Sequence, residues 1–152
     1  MKGMIRLEQK RLNTRVYRKC FAICAGVLAK FGKRKKIDVH DYPAMVVACS
    51  SSWADYFWAE VECSGKVNRD SYRMVPDLEA ALNSLGQIGT KRGDCNNYIG
   101  ACAEPHAARA VLVQNGPMPV NQLVFSYAYR PRTKSVERYC RNCTTIFNVI
   151  NP

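Results

Sequence analysis

Apolar residues at Leu12, Val16, Cys20, Ile23, Val27 and Phe31 recur at steps of three and four, the spacing of one face of a helix. The positions between them are largely Lys and Arg, so the pattern predicts an amphipathic helix with a basic outer face. Residues 44–49 and 56–63 are short runs rich in Val, aromatic and Cys residues, separated by Ser50-Ser51-Ser52, and read as two antiparallel strands. Ser64-Gly65-Lys66 turns the chain. Pro76-Asp77-Leu78-Glu79 then opens a short helix that Gly86 closes, with Pro inside the start and Gly beyond the end. Residues 89–97 read as loop. A further helix starts near Cys102 and runs to Gly116-Pro117, where it must stop. Residues 123–129 form a third strand, residues 130–138 a basic loop, and a last short helix runs from Cys140 towards Phe147. No repeat or low-complexity segment interrupts this order.

Composition narrows the picture to one domain. The chain has 152 residues, 47% of them apolar, enough for a single core and too few for two. No window reaches the roughly 18 apolar residues of a transmembrane helix, and the apolar run at residues 20–29 lies too deep in the chain and lacks a small-residue cleavage site for a signal peptide. Of eight cysteines, Cys20, Cys24, Cys49, Cys63 and Cys95 lie among apolar neighbours and read as small core residues. A reducing compartment is expected.

The net charge of +11 is segregated. Residues 1–36 hold twelve Lys or Arg against Glu8 alone, whereas residues 37–152 hold eleven of each sign. The basic face, ending in Lys33, Arg34, Lys35 and Lys36, is the footprint of a phosphate-backbone binder; a solvated helix, an acidic partner protein or a membrane surface are the blander readings.

The chemistry sits in Cys102-Ala103-Glu104, followed by Cys140-Arg141-Asn142-Cys143. Three thiolates can hold a tetrahedral zinc and leave its fourth position to water, the catalytic rather than the structural count. Placed at helix starts, they meet unpaired N–H groups and partial positive charge, which favour thiolate over thiol. The pattern follows the deaminase signature H-x-E with P-C-x-x-C in its Cys₃ variant, Glu104 being the general acid/base rather than a ligand.

On these residues, with CAEPHAARAVL and RPRT before CRNC, the chain resembles the zinc-dependent cytidine deaminase-like superfamily, most closely the small deaminase domains of bacterial polymorphic toxins, over residues 95–148. Tyr139 stands where that family has Pro. The resemblance implies a three-layer α/β/α fold with a mixed sheet, its C-terminal strands missing or reduced near residues 147–150, in a single domain spanning 1–152. It implies one Zn²⁺ per chain on Cys102, Cys140 and Cys143. Glu104 would take a proton from water attacking the amine-bearing ring carbon and return protons to the ring nitrogen and departing ammonia.

The expected activity is hydrolytic deamination of cytosine in nucleic acid, single-stranded DNA before RNA, by a monomer with a possible immunity-protein partner and no membrane. Its expected place of action is the cytoplasm or nucleoid, after delivery within a larger toxin. Asn96 and Asn97 are candidates to hold sugar or base, Tyr98, Tyr127, Tyr129 and Tyr139 to stack, and Arg130, Arg132 and Lys134 to meet flanking phosphates over the pocket mouth. Rival readings are a deaminase of free nucleosides or nucleotides, a deaminase of adenine in RNA, and a non-catalytic zinc module with Cys95 as fourth ligand. His106 reads as a helix histidine bonded to a carbonyl. Trp53, Phe57 and Trp58 read as core.

Overall fold

The structure is a computed structural model that describes residues 2–32, 37–51 and 59–152. The basic run Lys33 to Lys36 and the aromatics Trp53, Phe57 and Trp58 lie outside the described residues. The described chain is mixed α/β, with four helices and a five-stranded sheet. Helix α1 spans Lys2–Phe31, strand β1 Val46–Ser51, β2 Ala59–Cys63, α2 Pro76–Asn83, α3 Ala103–Asn115, β3 Leu123–Phe125, β4 Ala128–Arg130, β5 Ser135–Glu137 and α4 Arg141–Ile146. No helix among the described residues is long and apolar enough to cross a membrane.

Strand β1 is central and buried along its whole length. Alternate side chains of a strand face opposite ways, and here the two sets enter two separate cores. Val46 and Ala48 pack with Val124 against Leu12, Val16 and Cys20 of α1. Val47 and Cys49 pack against Leu78 and Leu82 of α2 and Ala107, Ala108 and Val111 of α3. Helices therefore lie on both sides of the sheet. The expected stripe of α1 is the buried one, with Ile23 and Phe31 half-buried at its edge. Each fully buried aliphatic contributes roughly 1.5–3 kcal/mol, so α1 is an integral layer and not an appended tail.

The sheet is antiparallel at every pairing among the described strands, not mixed as expected. The path of α3 is the reason. Gly65 N–H bonds Ala101 O at 3.1 Å, which starts α3 at the end of the sheet where β2 finishes. Asn115 donates to Ser51 Oγ at 2.8 Å, which ends α3 beside the last residue of β1. A short connection then delivers β3 to that same end, so it can only run back against β1, pairing Ser51 with Leu123.

The strand expected at 123–129 is split. Cys49 pairs with Phe125, whereas Val46 pairs with Tyr129, so the register slips by one residue between β3 and β4. This is a bulge at Ser126 and Tyr127. Ser126 serves both sides of Ala48, its N–H donating to Ala48 O and its Oγ accepting from Ala48 N–H, each at 2.9 Å. The displaced groups find partners on both faces: Tyr127 N–H donates to Asn13 Oδ1 at 2.7 Å, and Ser126 O accepts from the Tyr139 hydroxyl at 2.5 Å. The basic loop expected at 130–138 is a hairpin, β4 pairing with β5 through Ala128 with Glu137 and Arg130 with Ser135. Lys134 turns it at φ 56°. Residues 147–152 add no strand.

Candidate metal centre

Two of the three expected ligands occupy the same structural position on different helices. Cys102 is the N-cap of α3, at φ −65° and ψ 161°, and Cys140 is the N-cap of α4, at φ −71° and ψ 163°. Neither side chain caps its own helix, which leaves both sulfurs to point elsewhere. Cys143, fully buried in the first turn of α4, is the third. Cys102 and Cys140 sulfurs lie 3.1 Å apart, and Cys140 and Cys143 sulfurs 3.5 Å. All three lie within 4.8 Å of one another.

Three nearby thiols of this kind can hold a metal ion. Zinc with Zn–S distances of about 2.3 Å spaces tetrahedral sulfurs about 3.8 Å apart, so a small expansion accommodates it. Among the described residues Cys95 is not part of the group; it stays half-buried on its loop. All eight cysteines are free thiols.

The charge state of the cluster follows from its own hydrogen bonds. Cys140 is held far below an ordinary thiol by its hydrogen bonds with Cys102 and then Cys143, with the Asn97 side chain adding a further bond. Cys102 is pushed up chiefly as the donor to Cys140, and Cys143 is pushed up by its bonds to Cys102 and Cys140 and by burial. One thiolate is thus shared between two thiols, a donor set that a divalent cation would convert to three thiolates.

Glu104, in the first turn of α3, is 4% exposed. Its Oε2 accepts from Cys143 Sγ at 3.4 Å. Burial is the main reason its carboxyl is pushed up to about 7, with the Cys140 thiolate adding to the shift. A carboxyl poised near neutrality beside a metal-competent cluster has the proton affinity of a general acid/base. Pro105 is tolerated in this first turn because its missing N–H has no intrahelical partner there. Gly100 fixes the approach to Cys102: its φ is 88°, and a Cβ would come within 2.9 Å of Tyr72 Cε2.

These groups lie at the wall of a cavity of about 800 Å³, lined among others by Tyr42, Met45, Lys66, Asn96, Asn97, Tyr98, Cys102, Glu104, Arg138 and Cys140. Asn96, Asn97 and Tyr98 are therefore where the sequence places them, beside the cluster. Arg130, Arg132 and Tyr139 are not. Arg130 pairs with Glu137 at 3.1 Å on the hairpin. The hairpin tip leans on α1 instead of the cavity: Cys24 Sγ donates to Pro131 O at 3.0 Å, and Lys134 Nζ sits 4.8 Å from the Phe21 ring centre. Arg132 is exposed at that tip.

Tyr139 is 5% exposed and its hydroxyl is used by Ser126 O, so it fills the core beneath α4 and offers no stacking face. Tyr129 faces α1, its ring 6.2 Å from that of Tyr17. His106 lies outside the thiol group; it is half-buried against Tyr72, with ring centroids 6.1 Å apart, and lies beside the Gly65 backbone.

Two contributors were not among the residues expected from the sequence. Lys66 reaches the cavity from the turn after β2. Asn142, 2% exposed between the two α4 ligands, accepts from Arg92 at 3.3 Å and donates to Asn97 O at 3.2 Å. Asp94 adds ion pairs to Arg92 at 3.2 Å and to Arg141 at 3.6 Å. Loop 91–97, whose Asn96 and Asn97 line the cavity, is thereby tied to the helix that carries two of the candidate ligands. The only pointer to Asn142 was its place inside the CxxC spacing. Compared with protein-family models, curated proteins and solved structures, the chain matches none.

Proposed function

We propose that the protein is a zinc-dependent hydrolytic deaminase that converts cytosine to uracil in nucleic acid, single-stranded DNA being the preferred form, on a helix–sheet–helix domain of the cytidine deaminase-like kind. The observation that carries this reading is the buried Glu104 carboxyl, 3.4 Å from a sulfur of a three-thiol cluster at the wall of an open cavity. Cys102, Cys140 and Cys143 would hold the ion, which when bound supplies Lewis-acid activation of water.

The remaining work belongs to the chain. Glu104 accepts a proton from the attacking water, whose oxygen bonds to the ring carbon bearing the amine. It then returns protons to the ring nitrogen and to the amine, which leaves as ammonia as the carbonyl forms. Such a base is worth about 100- to 10,000-fold in rate. Burial raises the proton affinity of Glu104 and keeps bulk water from competing. Asn96, Asn97 and Tyr98 stand where a base or sugar would be held.

The surface of α1 supports a polyanionic substrate. Arg6, Lys10, Arg11, Arg15, Arg18, Lys19 and Lys30 are exposed along it, and its one acid, Glu8, is buried and paired with Arg11. The test is to incubate zinc-loaded protein with single-stranded DNA, duplex DNA, RNA, cytidine and adenosine, then read conversion by sequencing or chromatography. Cytosine-to-uracil change in single-stranded DNA that disappears in Glu104→Ala is the expected result. No conversion of any substrate by protein carrying one zinc per chain would overturn the reading.

A further inference from the structure

We propose that Lys66 and Arg138 form a phosphate clamp at the mouth of the metal cavity, so that the site takes its base as a nucleotide, free or within a strand, in preference to the nucleoside. The identity of the base rests on the deaminase reading; the clamp itself does not.

Both cations line the cavity and both are solvent-exposed. Each is rooted in backbone fixed next to a different ligand. The turn carrying Lys66 is held by Gly65 N–H on Ala101 O at 3.1 Å, one residue before Cys102, and by Ser64 Oγ accepting Met45 N–H at 3.1 Å. Arg138 precedes Tyr139, whose N–H donates to Asn151 Oδ1 at 2.6 Å and whose hydroxyl donates to Ser126 O at 2.5 Å; Cys140 follows directly. The two cations are thus anchored beside two different members of the thiol cluster and line the same cavity.

Among the described residues lining the cavity the only acid is Glu104, at the buried end. Charge therefore runs from the Glu104 carboxyl and the thiol cluster inside to two cations outside. A ligand complementary to this has a polar, uncharged ring at the inner end and an anion at the outer end, the order of base, sugar and phosphate. Tyr98, half exposed and with Lys91 Nζ 4.9 Å from its ring centre, adds an aromatic face to the cavity lining. A cavity of about 800 Å³ falls within the roughly 300–1,000 Å³ of sites that bury a whole small ligand. Flexible Lys and forked Arg are the two side chains that bind phosphate, as a point charge and bidentately. A nucleoside brings nothing to balance them.

The experiment is equilibrium binding to zinc-loaded Glu104→Gln, in which nothing turns over, with deoxycytidine, its 5′-monophosphate, a cytosine-centred trinucleotide and inorganic phosphate as probes. The monophosphate or the trinucleotide should bind at least tenfold more tightly than deoxycytidine, and inorganic phosphate should compete. The tighter of the two separates a free nucleotide from a strand as the source of the phosphate. Lys66→Gln with Arg138→Gln should remove the preference, and Lys66→Arg should restore much of it in the Arg138 background. Unchanged melting temperature and zinc content distinguish this from misfolding.

Equal affinity for deoxycytidine and both phosphorylated probes, or a preference that survives the double substitution, would overturn the clamp. A phosphate preference in protein that deaminates nothing leaves the clamp standing and removes the deaminase reading. Turnover without phosphate preference does the reverse.

Discussion

The two faces of the sheet are built from alternate residues of one strand, yet they hold different kinds of chemistry. On the α1 face Val46 and Ala48 meet an aliphatic stripe whose outer side is cationic. On the α3 face Val47 and Cys49 support helices whose starts carry three thiols and a buried carboxyl. Long-range charge and short-range chemistry are thus separated by a layer of backbone. The separation suits each: surface cations stay hydrated and attract polyanions over a Debye length of about 8–10 Å, whereas a carboxyl near neutrality needs exclusion from water. They come near each other at the sheet end where β2 finishes, where burial pushes the Cys63 thiol up and Lys19 of α1 partly offsets it, and where Lys66 lies three residues further on at the cavity.

The strongest way to break this division is to remove groups from the α3 face alone. Cys140→Ser and Cys143→Ser should each reduce bound zinc from one per chain towards none, read by metal analysis after dialysis. Glu104→Gln should retain the metal while lowering turnover by about 100- to 10,000-fold. Retained zinc in both serine variants, or loss of zinc from Glu104→Gln, would mean that ligand and proton carrier have been assigned to the wrong side chains. Cys95→Ser should keep its zinc, since Cys95 is not in the cluster.

A smaller effect separates burial from catalysis. The folded Glu104 carboxyl is raised from 4.5 to about 7, chiefly by burial. Below pH 4.5 it is protonated folded and unfolded, and its contribution is fully present. As pH rises towards 7 the unfolded chain ionises first, so folding is progressively opposed, and above 7 the loss is complete. In metal-free protein the stability of wild type relative to Glu104→Gln should therefore fall by about 3 kcal/mol across that window. The three thiols are common to both proteins and cancel to first order in the difference. Parallel stability curves from urea melts at pH 4 to 8 would show that Glu104 is solvated.

What could be read from the sequence was whatever chemistry repeats locally. The apolar stripe of α1 repeats every three or four residues, and the ligand spacings at the two helix starts each fit within one helical turn; the structure places both accordingly. What could not be read depends on contacts across the fold. The bulge at Ser126 exists because Asn13 and Tyr139 satisfy the displaced backbone groups from opposite faces, and no local pattern encodes that. The hairpin at 128–137 pairs strands of three residues whose polar members, Arg130, Ser135 and Glu137, mimic a loop. Tyr139 adjoins a candidate ligand in sequence but is buried in the core, its hydroxyl bonded to Ser126 O across the fold. Lys66 lies 36 residues before Cys102 and enters the cavity only through the contact of its turn with Ala101.

Asn142 tests how closely the cavity wall depends on α4. Asn142→Ala removes both side-chain bonds to loop 91–97 while leaving the sulfurs in place, and should cost about 1–3 kcal/mol, the usual result of unmaking a buried polar interaction. Hydrogen exchange should rise at residues 94–98 with little change in α1. Uniform loosening of both faces would show that the loop is held by the core as a whole rather than by α4.

The smallest effects belong to the α1 face, and they sharpen the comparison by leaving the other face untouched. Arg15, Arg18 and Lys19 are exposed on the outer side of the helix, next to the buried Val16 and Cys20. Changing them to Gln keeps the apolar stripe and hence the fold, which deleting the helix would not. Lys33, Arg34, Lys35 and Lys36 can be neutralised in a second variant. For every phosphate that is no longer neutralised, the log–log salt dependence of polynucleotide binding should flatten by about 0.7 to 0.9 units, measured by fluorescence anisotropy on a single-stranded oligonucleotide. Zinc content, and turnover at saturating oligonucleotide, should stay at wild-type levels. If instead the slope is unchanged and turnover falls, the cations of α1 act on the reaction centre through the sheet, and the two faces are not the independent units that their cores suggest.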